Sequence, residues 1–361
     1  MAADWEVKVF AAQDYSNDRE VSAFNAESPV EIHRFSSGRG PVIELLARWR
    51  TLSSRTRQRR PAAILATGGR MVWIAALLAK IRRIPLLAVG HGTEFQQPNR
   101  IFTALNRWSF SSAAPLVCVS YYTASVMSKS GIIPKRLEVI HNGADDSRFH
   151  RIDDAELAKI RIRHGLPNGR LLLTVGNVTE RKGQETVVRA MPEILRQCPD
   201  THYLMAGIPT RQRELTELAD QLGVTQNIHF LGRQTSQSIV ELMNLCDLFL
   251  MTSVTTESGD CEGFGIAAVE AALCGKPAIV SGGSGLVEAI EEGVTGLAVP
   301  QRDATATAEA IVRLLKDNAL RRQMGQAAES RAKSKACWKH CVRSYHELLR
   351  QIAEKKTDAG R

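Results

Sequence analysis

Two glutamates, Glu262 and Glu270, lie in a segment that is otherwise apolar. The alanine, valine and leucine residues around Glu270 predict a helix from Ile266 to Cys274 that is buried on nearly all sides, and Gly275 ends it. A carboxylate inside such a helix costs several kcal/mol unless a hydrogen-bond donor meets it. That donor can belong to the protein or to the hydroxyl groups of a ligand.

Gly263 and Gly265 enclose Phe264 where this helix begins. Without side chains at these two positions, the free N–H groups of the first turn can approach an anion or a sugar closely. Glu262, immediately before them, can then accept hydrogen bonds from hydroxyl groups. The same pattern also fits a core helix with one buried salt bridge and a glycine-rich entry turn.

Two cations and a histidine follow apolar strand-like runs elsewhere in the chain. Arg181 and Lys182 come after the run that ends at Val175, and they precede a predicted helix, Gln184 to Gln197. Cations in such a loop can neutralise a diphosphate, whose negative charge grows as a sugar–phosphate bond breaks. His91 follows the run Pro85 to Val89. Solvated loop cations and an ordinarily hydrogen-bonded histidine are the alternatives.

Short apolar runs alternate with helical stretches along the whole chain, which predicts an α/β fold with two parallel sheets. The predicted strands are 6–11, 30–35, 62–66, 85–89, 116–120 and 137–140 in the first half, and 171–175, 202–206, 227–231, 247–251, 277–280 and 296–299 in the second. We expect domains at 1–148 and 149–336, with a polar linker region near 145–168 and with 337–356 packing back on the first domain. A ligand should bind in the cleft at the carboxyl ends of the strands.

The E-x7-E string from Glu262 to Glu270, with its Gly-Phe-Gly sequence, resembles the retaining glycosyltransferases of family 4. The resemblance implies the GT-B fold, in which two Rossmann-like domains face each other across a cleft and the C-terminal helix crosses back to the first domain. It implies that Glu262 and the backbone from Gly263 to Gly265 hold the donor sugar. Glu270 would then bind the ribose diol of the nucleotide.

The same resemblance places the diphosphate of the donor against Lys182 and Arg181, in a loop that begins with Gly176 and Asn177. Asn177 stands where these enzymes commonly have a second arginine clamp. Either Arg181 substitutes for that arginine, or the donor is bound more weakly.

Three further segments acquire expected roles from the resemblance. His91 would lie at the reaction centre, with Thr93 and Glu94 on the acceptor side, and Gly232 and Arg233 would meet the nucleotide base. The acidic segment 257–260 resembles an insertion in members that transfer mannose or related hexoses to lipid-linked acceptors. The segment 281–286 is a generic anion-binding loop before a helix predicted to start near residue 287.

The two ends of the chain carry two more expectations. Trp5 to Phe10 resembles the second strand of the family's fold, so we expect one strand, loop and helix of the family to be missing before it. The C-terminal stretch has apolar side chains at helical spacing, which core packing explains: Trp338, Cys341, Val342, Tyr345, Leu348, Leu349 and Ile352.

The positive charge lies mainly in the first half of the chain. Residues 1–150 contain 20 Lys and Arg against 12 Asp and Glu, whereas the remainder contains 27 against 26. Much of the excess belongs to one predicted helix with Leu45, Leu46 and Trp49 alongside: Arg48, Arg50, Arg55, Arg57, Arg59 and Arg60. Such a helix suits an anionic membrane surface or a phosphorylated acceptor, or is a solvated face. No stacking-aromatic or zinc module points to nucleic acid.

The seven cysteines are scattered and lie mostly in apolar settings, which indicates reduced thiols. The N-terminal stretch lacks a signal-peptide core, and the longest apolar run is interrupted by charges, so we expect a cytoplasmic protein. The basic helix adds the expectation of peripheral membrane contact. Cys337, His340 and Cys341 can share a helix face, but without a fourth ligand core packing explains them better than a metal. We expect neither a metal nor a cofactor.

The sequence therefore predicts a retaining hexosyltransferase that uses a nucleotide-diphosphate sugar and a glycan or lipid-linked acceptor, in polysaccharide, lipopolysaccharide or glycolipid synthesis. Two alternatives remain: a nucleotide-sugar 2-epimerase of the same fold, and a catalytically impaired sugar-nucleotide-binding protein. A sugar phosphorylase would require a phosphate site that the sequence does not identify.

Overall fold

The computed structural model of the chain describes residues 5–13, 18–36, 40–96 and 99–358, which form parallel sheets connected by helices. The strands are β1 (Lys8–Gln13), β2 (Glu31–Ser36), β3 (Ile64–Thr67), β4 (Leu86–Gly90), β5 (Leu116–Cys118), β6 (Leu137–Val139), β7 (Arg170–Val175), β8 (Thr201–Ala206), β9 (Ile228–Gly232), β10 (Leu248–Met251), β11 (Ala278–Ser281) and β12 (Gly296–Val299). The helices are α1 (Asp18–Glu27), α2 (Pro41–Gln58), α3 (Gly69–Arg82), α4 (Arg100–Ser111), α5 (Tyr121–Lys129), α6 (Asp154–Arg163), α7 (Gln184–Gln197), α8 (Gln212–Gln221), α9 (Ser236–Leu245), α10 (Ile266–Leu273), α11 (Ala304–Lys316), α12 (Asn318–Lys335) and α13 (Trp338–Asp358). Short 3-10 helices span Thr93–Phe95, Glu180–Lys182, Thr225–Asn227 and Gly285–Ala289.

The strands form two groups that follow the two halves of the sequence. In the first unit, β1 pairs with β2, and β3, β4, β5 and β6 form a separate four-stranded sheet in that order. In the second unit, the six strands have the order β12-β11-β10-β7-β8-β9. All pairings are parallel. Within each sheet the carboxyl ends of the strands therefore lie at one edge, where a ligand can be bound.

Every predicted strand is present, with its ends shifted by no more than two residues. β5 ends at Cys118 rather than Ser120, because Ser120 becomes the N-cap of α5 and accepts a hydrogen bond from the N–H of Thr123. The predicted helix Ile266–Cys274 is confirmed as α10, which ends at Leu273. It is buried along most of its length, although Ile266 at its first position is exposed.

Two details of the sequence interpretation are wrong. The helix expected to start near Val287 is a single 3-10 segment, Gly285–Ala289. In α13, Trp338 and Val342 are exposed, so core packing does not explain the whole apolar stripe. Among the α13 side chains that the structure describes, Leu348, Leu349 and Ile352 are buried.

α13 nevertheless contacts the first unit. The backbone N–H of Trp338 donates to the carbonyl of Ala144, and the N–H of Ala144 donates to the carbonyl of Ala336, both at 2.9 Å. Further along α13, the ring of His346 meets the ring of Trp5 edge to face, with centroids 6.3 Å apart. The two hydrogen bonds fix the start of α13 beside the end of the first unit, and the ring contact places the middle of α13 beside Trp5.

Gly183 joins the loop that carries Lys182 to the start of α7, and it is packed against the end of β10. Its φ is +66°, and a Cβ there would lie 1.9 Å from the carbonyl oxygen of Thr252. The hydroxyl of Thr252 donates to the carbonyl of Gly183 at 2.9 Å. A residue without a side chain is therefore required to hold this loop against the sheet.

We predict that Gly183→Ala lowers the thermal midpoint of unfolding more than Gly223→Ala does. Gly223 has a similar φ of +69° but open space where a Cβ would stand. Its replacement should cost about 1–2 kcal/mol of backbone strain, whereas Gly183→Ala adds a clash with Thr252. Thermal denaturation of both variants checks this, and equal shifts would contradict the packing argument.

Candidate functional site

Two cations and two carboxylates form a compact cluster in the second unit. Arg181 Nη1 donates to Glu262 Oε2 at 2.5 Å, and Lys182 Nζ donates to the same oxygen at 2.7 Å. Arg181 Nε also lies 3.3 Å from Asp260 Oδ2. Burial alone would raise the pKa of Glu262, but Lys182 and Arg181 hold that pKa below its usual value. Glu262 is therefore an ionised carboxylate.

The sheet explains why these side chains meet. Arg181 and Lys182 belong to the 3-10 helix that follows β7, and Glu262 belongs to the loop between β10 and α10. β7 and β10 are neighbours in the parallel sheet, so the segments that follow their carboxyl ends lie side by side. The N–H of Val254 donates to the carbonyl of Arg181 at 2.8 Å and ties the two segments together.

The turn from Gly263 to Gly265 lies against the first unit, at a contact that we call the seam. The buried hydroxyl of Ser120, at the start of α5, donates to the carbonyl of Gly263 at 2.6 Å. A Cβ on Gly263 would lie 2.0 Å from the carbonyl oxygen of His91. A Cβ on Gly285 would lie 1.8 Å from the carbonyl oxygen of Gly263. Three backbone segments from both units therefore meet without room for a side chain.

His91 lies at the seam, directly after β4. Its backbone carbonyl packs against Gly263, and its exposed imidazole Nε2 lies 2.7 Å from the Oγ1 atom of Thr67, at the end of β3. The structure therefore brings His91 to the turn that follows Glu262. The adjacent strands β3 and β4 place Thr67 and His91 side by side, and the contact between these two residues fixes the direction of the imidazole ring.

The acceptor-side role expected for Glu94 is not supported. Glu94 is buried, and its two carboxylate oxygens accept the backbone N–H groups of His91 and Gly92 at 2.7 and 3.1 Å. Asn106 in turn donates to the carbonyl of Glu94 at 2.6 Å. Glu94 therefore braces the loop that presents His91, whereas Thr93 on the same loop is exposed.

Glu270 lies on α10, one turn after the helix begins. Burial raises the pKa of its carboxyl, and Arg148 counteracts that rise only in part. Among the residues that the structure describes, no protein group donates a hydrogen bond to this carboxylate. The helix therefore presents a partly buried acceptor that is open to hydrogen-bond donors from outside the protein.

The remaining predicted donor residues lie at the carboxyl edge of the same sheet. Gly176 follows β7 and faces the side chain of Lys182, and Asn177 is exposed there while its side-chain oxygen accepts the N–H of Ile208 at 3.1 Å. Gly232 ends β9 with φ +66° and open space beside it, and Arg233 next to it is exposed. Phe264 is buried, so only its backbone can contact a ligand.

Sequence interpretation missed Glu288. Its two carboxylate oxygens accept the backbone N–H groups of Tyr121 and Tyr122, each at 2.8 Å, across the seam. The same carboxylate lies 2.8 Å from Nε2 of His141. The signal available in the sequence was an acidic residue close to the glycine-rich segment 281–286. The fold is needed to identify the backbone N–H groups that Glu288 binds.

The basic helix α2 is less uniform than its sequence indicates. Arg48 is buried, pairs with Glu44 at 3.3 Å and lies over the ring of Phe35 at 5.8 Å. It therefore belongs to the interior and not to a basic surface. Arg59 pairs with Glu6.

Within the described residues, no group of three or more histidine, cysteine, aspartate or glutamate side chains is arranged to hold a metal ion. The helices of the described residues are all too short or too polar to cross a membrane. All seven cysteines are free thiols.

Comparisons with known proteins identify the family and the fold. The family model described as "Glycosyl transferases group 1" matches residues 158–331, and the one described as "Glycosyltransferase Family 4" matches residues 1–148. The chain is 30% identical over 272 residues to the GDP-mannose-dependent alpha-(1-6)-phosphatidylinositol monomannoside mannosyltransferase of Mycolicibacterium smegmatis. This match covers 75% of the chain and 71% of that protein.

Solved structures share the fold at low sequence identity. A glycosyltransferase from Rickettsia africae has a TM-score of 0.81 at 17% identity, covering 96% of this chain and 98% of that one. HepE from Anabaena, solved with UDP-glucose, has a TM-score of 0.77 at 20% identity, covering 97% and 99%. The two α/β units thus correspond to the Rossmann-like domains of the GT-B fold, and the chain belongs to the group 1 glycosyltransferases, family 4.

Proposed function

We propose that this protein transfers a hexose from a nucleotide-diphosphate sugar to a hydroxyl group of a lipid-linked glycan acceptor, with retention at the anomeric carbon. The observation that carries the proposal is the half-buried Glu270 carboxylate, to which no described protein group donates a hydrogen bond. It lies on the helix that starts beside the Glu262 cluster, and a ribose diol would supply two donors. Contact with the nucleotide would thus give this carboxylate hydrogen bonds that no described protein group provides.

The other contacts of the donor follow from the same geometry. Lys182 and Arg181 would exchange part of their contact with Glu262 for the diphosphate, and the released carboxylate oxygens would accept sugar hydroxyl groups. The backbone of the Gly263–Gly265 turn can approach the sugar because no side chain intervenes. Arg181, already beside Lys182, would take the role of the arginine that Asn177 replaces.

In the transfer step, the bond between the anomeric carbon and the diphosphate oxygen breaks while the acceptor oxygen forms its bond on the same face of the sugar. The acceptor proton moves to the departing phosphate oxygen, so no protein carboxylate has to act as nucleophile. Lys182 and Arg181 stabilise the negative charge that develops on the diphosphate. His91 would hydrogen-bond the sugar or support departure of the leaving group from the opposite wall of the cleft.

The mannosyltransferase relative and the acidic segment 257–260 both support a mannose-like hexose and a lipid-linked acceptor. The structure gives this segment a second connection to the site, because Asp260 lies 3.3 Å from Arg181. We therefore place GDP-mannose first among the donors to be tested, in glycolipid or polysaccharide synthesis.

The function is tested by offering purified protein a panel of labelled nucleotide sugars, with and without extracted membrane lipids, and following nucleotide release and labelled lipid. Lipid-dependent transfer is the expected result. An epimerised sugar formed without any acceptor would favour the 2-epimerase. Binding without turnover for every donor and acceptor would favour an impaired sugar-nucleotide-binding protein.

We predict that Glu270→Gln weakens donor binding about tenfold or more, because a charged acceptor for two hydroxyl groups is lost at a net cost of roughly 1.5–3 kcal/mol. Lys182→Ala should also weaken binding. Calorimetric titration with the active donor measures both, and Glu309→Gln, an exposed glutamate of the same unit, is the control. Unchanged affinity in Glu270→Gln would contradict the assigned ribose site.

We predict that His91→Ala lowers kcat about 100-fold, the scale of one lost transition-state hydrogen bond, while donor affinity changes little. Thr67→Val should lower kcat less, since it removes only the 2.7 Å contact to the His91 ring. Steady-state kinetics separates kcat from KM. Full turnover in His91→Ala would remove this residue from the reaction centre.

The exposed face of α2 supports a further part of the proposal, peripheral contact with an anionic membrane. Val42, Ile43 and Leu46 are 68%, 56% and 57% exposed on one face of its first turns. Arg50 and Arg57 continue that face toward the C-terminus, and neither has an ion pair within the described chain. An apolar start followed by cations is the pattern of an interfacial helix.

We predict that the wild-type protein sediments with liposomes in proportion to their anionic lipid content. The double variant Arg50→Ala/Arg57→Ala should reduce partitioning roughly 30-fold, at about 1 kcal/mol per cation. Arg322→Ala/Arg343→Ala, which removes the same charge from exposed positions elsewhere, is the control. Sedimentation that is indifferent to anionic lipid would rule out this membrane role.

A further inference from the structure

Helix α5 of the first unit receives its N-terminal cap from both units. The first N–H groups of a helix have no partner within the helix. Ser120 accepts the N–H of Thr123 at 2.9 Å, as an ordinary N-cap does. The N–H groups of Tyr121 and Tyr122 donate instead to the two carboxylate oxygens of Glu288, more than 160 residues away in the chain.

Glu288 is suited to this contact. Its side chain is 16% exposed, and an anion at a helix N-terminus is stabilised by the helix dipole. Burial would raise the pKa of its carboxyl, but His141 and the two backbone N–H groups keep it below the usual range. The main chain of Glu288 is also fixed, because Arg331 donates to the carbonyls of Glu288 and Ala289 at 3.0 Å.

His141 extends this contact to the Gly263–Gly265 turn. Its Nε2 lies 2.8 Å from Glu288 Oε2, and its ring stacks on Phe264 with centroids 5.3 Å apart and planes at 18°. The ring of Tyr121 meets the ring of His141 edge to face, with centroids 5.8 Å apart. Phe264 is the middle residue of the turn, so the stack on His141 holds the side chain of the turn against the first unit.

We infer that Glu288 and His141 are positioning residues for glycosyl transfer, holding the Gly263–Gly265 turn of one unit in register with His91 of the other. The inference rests on the proposed function, because it assigns the turn to the donor sugar and His91 to the reaction centre. Glu288 itself contacts neither. It fixes the start of α5, whose Ser120 holds the Gly263 carbonyl, and through His141 it fixes the ring of Phe264.

Loss of the Glu288 contact should affect turnover and not donor affinity. The groups expected to bind the nucleotide and diphosphate, Glu270, Lys182 and Arg181, all belong to the second unit and do not depend on the seam. Loss of Glu288 should therefore leave donor affinity nearly unchanged, while the geometry between sugar and His91 is lost. Misplacement by about 1 Å can cost roughly 100-fold in rate.

The test compares Glu288→Ala, Glu288→Gln, His141→Ala and His141→Phe with Glu309→Ala as the control. Glu288→Ala should lower kcat about tenfold to 100-fold, with donor affinity within about threefold of wild type. Glu288→Gln retains one acceptor oxygen for the backbone, so its kcat should be higher than that of Glu288→Ala. His141→Phe retains the stack on Phe264, so its kcat should be higher than that of His141→Ala. Donor affinity is measured by calorimetric titration and kcat with the active donor and acceptor.

Hydrogen exchange provides a readout that needs no catalysis. The amides of Tyr121 and Tyr122 should be protected in the wild type and should exchange faster in Glu288→Ala, with no change in Glu309→Ala. Unaltered protection in Glu288→Ala would overturn the cap itself. Faster exchange with wild-type kcat, or equal loss of donor affinity and kcat in both Glu288 variants, would overturn the positioning role. A protein that binds no nucleotide sugar would instead disprove the proposed function and leave the exchange result intact.

Discussion

The close approach of the Gly263 backbone to the first unit is the constraint that fixes the two sides of the site relative to each other. The carbonyl of Gly263 accepts a hydrogen bond from the buried Ser120 hydroxyl, and its Cα lies so close to the His91 carbonyl that any side chain would collide. Gly285 is held against the same peptide from the other side. Because three segments share one contact without side chains, the separation between the two walls of the site is set by main-chain atoms.

The ionic cluster adjoins that framework, because Glu262 directly precedes Gly263. Glu262 is mostly buried and would be costly as an isolated charge, but it receives two cations from the segment that follows β7. Removing either cation would leave a buried charge with less compensation, which is the destabilising case for such pairs. The loop geometry at Gly183 therefore matters to the electrostatics, since it determines where Lys182 stands.

Much of the fold, and the grouping of several candidate site residues, could be predicted from the sequence. β-branched and apolar runs identified the strands because parallel strands are buried on both faces, and the Glu262–Glu270 string identified the helix α10 with its polar entry. What could not be predicted depends on contacts that only the folded loops make. Glu94 accepts hydrogen bonds from the backbone of its own loop, two and three residues earlier. Glu288 caps a helix of the other unit, more than 160 residues away in the chain.

Side-chain burial was the other property that the sequence pattern did not predict correctly. Arg48 has the spacing of a surface cation, yet Glu44 and the ring of Phe35 allow it to be enclosed. Trp338 has the character of a core residue, yet it lies at the exposed start of α13. In both cases the sequence period gives the face of the helix, but the neighbouring elements decide whether that face is covered.

The pairing of Arg181 and Lys182 with Glu262 and Asp260 also bears on discrimination among anions. With two positive and two negative groups in contact, the cluster is formally neutral. In the proposed binding mode, a small anion such as free phosphate would have to displace the carboxylates without donating hydrogen bonds to them. A sugar diphosphate would replace the carboxylates with its phosphates and would donate hydroxyl hydrogen bonds to them. The net charge of +9 would then not make the candidate site bind every polyanion.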